Sequence, residues 1–178
     1  YINLVYFQKV YKFKYYNQLG LYRNLFKKEN FMNIEKLREE IEYDEGNVEE
    51  IYLDHLGLPT FGIGHLVRES DPEHGWEVGT AVSNDRCVEA FNEDIKTVVS
   101  DCYELYPDFD DLPEEAKRII ANMMFNMGRP RLSKFKGMKR GVDARDWMTA
   151  ATEMVDSRWY RQVTKRADRL VTRMRAIS

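Results

Sequence analysis

Between residues 33 and 45 apolar side chains recur at Ile34, Leu37 and Ile41, the spacing of one helix face, with Asn33 placed to cap the start and Gly46 to end it. From residue 48 to 68 the period changes. Short apolar runs alternate with Gly57, Pro59, Gly62 and Gly64, which predicts a small, tightly turned antiparallel sheet. Residues 69–82 read as loop. Ser83 then caps a long helix that carries Cys87, Phe91, Ile95, Val98, Val99 and Cys102 on one face. Pro113, Glu114 and Glu115 open a further helix. That helix is apolar nearly all round from Ile119 to Met127, which predicts a place in the middle of a helical bundle, with its methionines as core filling. Shorter helices are expected around 143–156, 157–162 and 164–175, with Trp147, Trp159 and Tyr160 as core residues rather than a stacking platform for a ligand. No internal repeat is visible. The fold class is α+β: a small lobe with a short sheet, a long connecting helix, and a larger helical lobe.

Length and composition narrow the class further. A chain of 178 residues with 43% hydrophobic and 32% charged residues is long enough for a real core and too apolar for wholesale disorder. No apolar run approaches the 18 or so residues of a membrane span. The two cysteines lie 15 residues apart on one predicted helix, about 22 Å at 1.5 Å per residue, too far to bond within it. Both read as small core hydrophobes in a reducing compartment. The net charge of −3 hides a strong asymmetry: residues 32–128 carry −17 and residues 129–178 carry +9. A basic half of this kind suits an anionic partner.

Residues 1–31 differ from the rest. Twenty of them are Phe, Tyr, Ile, Asn or Lys, six of the eleven tyrosines fall here, and the first Met is Met32. No run qualifies as a signal-peptide core. Lys27 to Met32 can be encoded by AAA-AAG-GAG-AAT-TTT-ATG, a ribosome-binding sequence shortly before a start codon. The segment is therefore expected to be an upstream region read in frame. The alternative is a basic, aromatic extension that touches membrane or wall. A domain beginning at Met32 is expected to fold without it.

The stretch from Glu45 to His65 carries the chemistry. Glu45 is followed nine residues later by Asp54, then by Thr60, Gly62, Gly64 and His65. Cleaving a glycosidic bond needs one protonated acid at the leaving oxygen and one ionised carboxylate across the sugar ring, in environments that keep their proton affinities apart. Glu45 falls at a helix C-terminus, where the dipole disfavours negative charge; Asp54 falls in an open sheet turn. Two acids nine apart mean little in a chain with 30 of them. The six-position string E-x8-D-x5-T-x-G-x-G-H would arise by chance on the order of once in a million windows.

With this string the chain resembles the lysozymes of T-even bacteriophages, glycoside hydrolase family 24. Further motifs agree in order and spacing: M-N-I at 32–34, D-E-G at 44–46, Y-x-D at 52–54, F-N-E-D at 91–94, N-M-M-F-N-M-G at 122–128, S-R-W-Y at 157–160 and R-A at 166–167. The resemblance implies a lysozyme-like fold over residues 32–178, with the sheet lobe at about 44–82, the connecting helix at about 84–104 and the helical lobe at about 105–178. It implies hydrolysis, with inversion, of the β-1,4 bond between N-acetylmuramic acid and N-acetylglucosamine. Glu45 is then the general acid, Asp54 the second carboxylate and Thr60 a holder of the attacking water. Leu66 and Phe125 match positions lining the sugar cleft, and Arg166 a cation that meets the acid. His65 pairs with Asp94 to tie the sheet to the long helix. Met138 and Glu153 also fall at cleft positions but depart from the family pattern, which has a small polar residue at the first and an amide at the second. The turn His55-Leu56-Gly57-Leu58-Pro59 differs too, and the chain ends a turn or two short of the family's usual length.

The implied partner is the glycan strand of peptidoglycan, attacked by a monomer without cofactor or metal. His55, His65 and His74 fit no zinc spacing, and Gly62-Ile63-Gly64 lacks the third glycine and following helix of a phosphate loop. The leading expectation is an endolysin held in the host cytoplasm until a holin-like pore releases it to the wall, with no insertion into the membrane itself. A tail-associated lysozyme and a non-catalytic wall-binding module of the same fold are the alternatives, the latter opposed by intact Glu45, Asp54 and Thr60. A nucleic-acid binder is disfavoured because the acidic sheet lobe would repel such a partner.

Overall fold

The computed structural model describes residues 32–178, which form one unit. The expectations for residues 1–31 lie outside the described residues. Helix α1 (Ile34–Glu45) begins where the Asn33 side chain accepts a hydrogen bond from the Lys36 N–H at 2.8 Å, and it buries Leu37 and Ile41. It ends at Gly46, whose N–H bonds the Glu42 carbonyl, and so delivers Glu45 to the mouth of the sheet.

The sheet is three antiparallel strands in sequence order: β1 (Val48–Leu53), β2 (Pro59–Gly62) and β3 (His65–Leu66). Tyr52 pairs with Thr60 and Thr60 with Leu66, so these three side chains share one face. Phe61 and His65 pair on the opposite, buried face. A small core of Ile51, Phe61, Val82, Cys87 and Ala90 lies under the sheet. Gly62 makes the close approach possible: its φ is 61°, and a Cβ there would stand 3.1 Å from the Cys87 Cβ.

The loop at 69–82 has no regular structure of its own, as expected, yet it is pinned. Its end runs along the free edge of β1, with Ile51 N–H to Thr80 O at 2.9 Å and Val82 N–H to Glu49 O at 2.9 Å. Arg86 grips the buried Glu73 carboxylate with two nitrogens, at 2.8 and 3.1 Å. Polarity marked this segment as loop; only the fold shows that it is held from inside.

Helix α2 (Asn84–Leu105) is capped by Ser83 and spans 22 residues, about 33 Å. Its inward face is the expected one, with Val99 half-buried and the others buried. Both cysteines are free and buried, and burial pushes both thiols up, so they act as hydrophobes. After a short turn at Phe109–Asp111, helix α3 (Glu114–Met127) is buried without a break from Ala116 to Met124. It occupies the centre of the large core, as its all-round apolarity predicts.

Beyond α3 the structure departs from the sequence reading. Two helices lie ahead of the one expected at 143–156, where none was expected: α4 (Arg129–Leu132) and α5 (Lys136–Asp143). The helix expected at 143–156 is α6 (Trp147–Val155). Its later start has a local cause: Arg145 turns the chain with a φ of 58°, and Asp146 caps α6 by accepting from the Thr149 N–H at 2.9 Å. Helix α5 escaped notice because only Met138 and Val142 supply bulk to its buried face, alternating with Gly137 and Gly141. The glycines let α6 come close: a Cβ on Gly141 would lie 2.6 Å from the Ala150 nitrogen. Helices α7 (Arg158–Gln162) and α8 (Thr164–Arg175) fall where expected, with Trp147 and Trp159 in the core and Tyr160 partly buried against it.

Candidate active site

Asp54 stands just past the end of β1, in the turn to β2. Its Oδ1 accepts from the N–H groups of Leu56 at 2.8 Å and Leu58 at 2.9 Å. The Leu58 N–H leads in holding the carboxyl below the usual carboxylate range; slight desolvation opposes it, and the Leu56 N–H and His55 add to it. Asp54 is therefore ionised near neutral pH, as the open-turn argument expects. Thr60 is buried, and its hydroxyl donates to the Leu58 carbonyl at 3.0 Å. That leaves the Thr60 oxygen with acceptor capacity on the sheet face it shares with Tyr52 and Leu66.

Tyr52 joins this group, although its motif carried no assigned role in the sequence. It pairs with Thr60, and it precedes Asp54 by two residues, the spacing of one strand face. Its phenol is pushed up first by burial, then by the charges of Glu45 and Asp54, which puts both carboxylates near one ring. Glu45, Tyr52, Asp54, Thr60 and Leu66 thus converge from α1 and the sheet, with Leu66 46% exposed and free to meet a ligand.

From the helical lobe, Arg166 reaches across to Glu45. The guanidinium forms an ion pair with the Glu45 carboxylate, binds Asn122 Oδ1 at 2.8 Å, and sits 3.2 Å from Asp44. Arg169 pairs with Asp44 from the next turn of α8. The Arg166 side chain is 6% exposed and that of Asp44 4%, whereas Glu45 keeps 30%. Glu45 is therefore anchored on one side and open on the other. Asp44 and Asn122 lie inside the family-like motifs but were not singled out; an acid next to Glu45, at the end of a helix whose face already holds Leu37 and Ile41, was the available signal.

The remaining cleft positions are spread more widely. Phe125 is half-buried, its ring 5.8 Å from Phe91. Met138 is fully buried and Glu153 exposed. Both border a groove of about 780 Å³ on the helical lobe. Among the described residues no cluster of His, Cys, Asp and Glu could hold a metal ion.

His65 is 1% exposed and makes two contacts, Nδ1 to Asp94 at 2.7 Å and Nε2 to Asp71 at 3.1 Å. The first is the expected tie to the long helix. The second fastens the 69–82 loop, and Arg68 adds an ion pair to Asp94. Burial alone would push the imidazole down; the two carboxylates outweigh it, and the pKa is raised. Asp71 is shifted the other way: burial would raise it, but the Arg68 N–H and His65 bring it below the usual range. The His65 contribution is thus complete below its ordinary value of about 6.5 and lost as pH rises through the raised value. The Asp71 contribution is present above about 4 and lost as pH falls through the lowered value. His65→Asn should destabilise by about 2 kcal/mol between pH 5 and 6 and by less above. Melting curves across pH test this, and a loss that grows toward alkaline pH would contradict it.

A small antiparallel sheet near the start of the described chain, followed by a long helix and a set of packed helices, is the architecture of a lysozyme-like α+β fold. The chain belongs to the phage lysozyme family, whose model matches residues 42–176. Probable T4-type lysozyme 2 of Dictyostelium discoideum is 30% identical over 159 residues, covering 78% of this chain and 93% of that protein. Probable T4-type lysozyme 1 of the same organism is 27% identical over 158 residues, with the same coverage. The pre-baseplate central spike protein Gp5 of Enterobacteria phage T4 is 26% identical over 152 residues, which is 75% of this chain but 26% of Gp5. The protein is a glycoside hydrolase of the lysozyme type, with peptidoglycan as its substrate.

Proposed function

We propose that the protein is a phage endolysin that cleaves the N-acetylmuramic acid to N-acetylglucosamine bond by inversion. The nearness of Glu45 and Asp54 to Tyr52, with Thr60 opposite Tyr52 in the sheet, is the observation that supports this reading most. Glu45 gives a proton to the leaving oxygen, and the exposed side of its carboxyl is where the glycosidic oxygen arrives. Asp54, ionised, faces the positive charge that develops at the anomeric carbon and takes the proton that the attacking water gives up. The Thr60 hydroxyl proton is committed to Leu58, so its oxygen accepts from the attacking water and orients it. Leu66, Phe125, Met138 and Glu153 border the path of the glycan, Met138 from beneath the surface. Arg166 holds Glu45 in place, and His65 with Asp94 holds the sheet against α2.

No helix among the described residues is long and apolar enough to cross a membrane. Acting as a monomer, the enzyme waits in the host cytoplasm for a holin-like pore and is then released to the wall. The partial match to Gp5, a spike protein, favours a second reading as a tail-associated lysozyme. Turbidity clearing of outer-membrane-permeabilised cells, with NMR of the first-formed anomer, tests the chemistry; β-product from a β-bond would refute inversion. Cell lysis dependent on a co-expressed pore separates the two biological roles. The +9 charge of residues 129–178 also predicts that clearing slows as salt rises, because exposed attractions are screened over about 10 Å at 0.1 M. A flat salt profile would refute electrostatic steering.

A further inference from the structure

Helix α1 brings few apolar side chains to the core: of its 12 residues, only Leu37 and Ile41 are buried. Apolar contact is non-directional, so two such side chains hold the helix down without fixing how far it slides or turns. Charges on the same face supply that direction. Leu37, Glu40, Ile41 and Asp44 recur at the spacing of one helix face.

Glu40 sits within an ion-pair cluster that joins α1, α3 and α8. Arg173 of α8 holds both oxygens of the Glu40 carboxylate, Nη1 to Oε2 at 2.8 Å and Nη2 to Oε1 at 3.0 Å. Two parallel bonds of this kind set distance and orientation together. The Arg118 Nε of α3 lies 3.1 Å from the same carboxylate, although it is not aligned to bond it. Glu115 pairs with both arginines, and Glu114 pairs with Arg118 at 2.7 Å. Burial would raise the Glu115 carboxyl, but Arg173 and Arg118 bring it below the usual range. Glu114 also accepts from the Asn33 N–H at 3.2 Å, where α1 begins. At the other end of α1, Arg166 meets Glu45 through one nitrogen, Nη1, a contact that leaves the carboxyl able to pivot.

We propose that Glu40 is a positioning residue: its two-point contact with Arg173 sets the register of α1 and, through it, where the Glu45 carboxyl meets the glycosidic oxygen. Glu45 follows Glu40 by five residues, about 7.5 Å along one rigid helix, so a displacement at the first is passed to the second. The inference rests on the peptidoglycan-hydrolase reading with Glu45 as its acid, and adds to it what holds the acid in line with the substrate.

The test measures release of reducing ends from purified peptidoglycan by the full chain and by Glu40→Ala and Glu40→Gln. Neither substitution strands an arginine, because Glu115 still pairs with both. Each should lower kcat by about tenfold while KM stays within about twofold: the surfaces that touch the glycan are unchanged, and misplacing a reacting group by about 1 Å costs up to a hundredfold. Arg173→Lys, which keeps the charge but not the fork, should lower kcat severalfold in the same way. Leu132→Ala, at a buried position of α4 outside the site, serves as the control for lost stability: its melting temperature should fall at least as far, with kcat unchanged. Glu40 variants that lose no more kcat than Leu132→Ala, or that change KM instead, would overturn the proposal while leaving the hydrolase reading in place. An unaltered enzyme that releases no reducing ends would overturn both.

Discussion

Glu45→Gln should slow release of reducing ends from peptidoglycan by at least about a hundredfold, the usual scale for losing a general acid. Gln keeps the size of the side chain and an oxygen that can still accept from the Arg166 guanidinium, but it has no proton to deliver to the leaving sugar. The melting temperature should therefore change little while turnover collapses. This separation identifies a chemical role, because a residue that only supported the fold would lower both. Near-normal clearing by the variant would remove Glu45 from the proposed mechanism.

Arg166→Met should lower stability by about 3 kcal/mol, the scale of removing one partner of a buried ion pair. The guanidinium lies among Asp44, Glu45 and Asn122, and its loss leaves the nearly dry Asp44 carboxylate with Arg169 and a long contact from Asn122 Nδ2 at 3.4 Å. For a domain of this size that corresponds to a melting temperature lower by roughly 10 °C. Activity should fall as well, since Glu45 would lose its anchor. Arg166→Lys should recover part of the stability by restoring charge without the planar fork that reaches Asn122 and Glu45 together. Thermal melts of the two variants decide the matter, and an unchanged melting temperature for Arg166→Met would show that the cluster contributes nothing.

The amino-acid sequence by itself determined the elements whose cause is local. Asn33, Gly46 and Ser83 end and begin helices through their own side chains or backbone freedom, and the burial of α3 comes from apolar residues on every face. Glu45, Asp54 and Thr60 stood out because their spacing within one short stretch has few accidental sources, and the expected His65–Asp94 contact is present at 2.7 Å. The rest depends on contacts between residues far apart in the chain. Asp71 reaches His65 only because the 69–82 loop folds back over the sheet, and Asn122 meets Asp44 across 78 positions. Tyr52 became part of the site when strand register set it opposite Thr60, with the Glu45 and Asp54 charges both acting on its ring. Helix α5 was hidden because its glycines and lysines give no periodic apolar signal, and α4 because it is a single turn, Arg-Pro-Arg-Leu, that buries only Leu132. Gly137 and Gly141 are informative only once α6 packs against them, since the use of a missing side chain is the space it leaves to a neighbour.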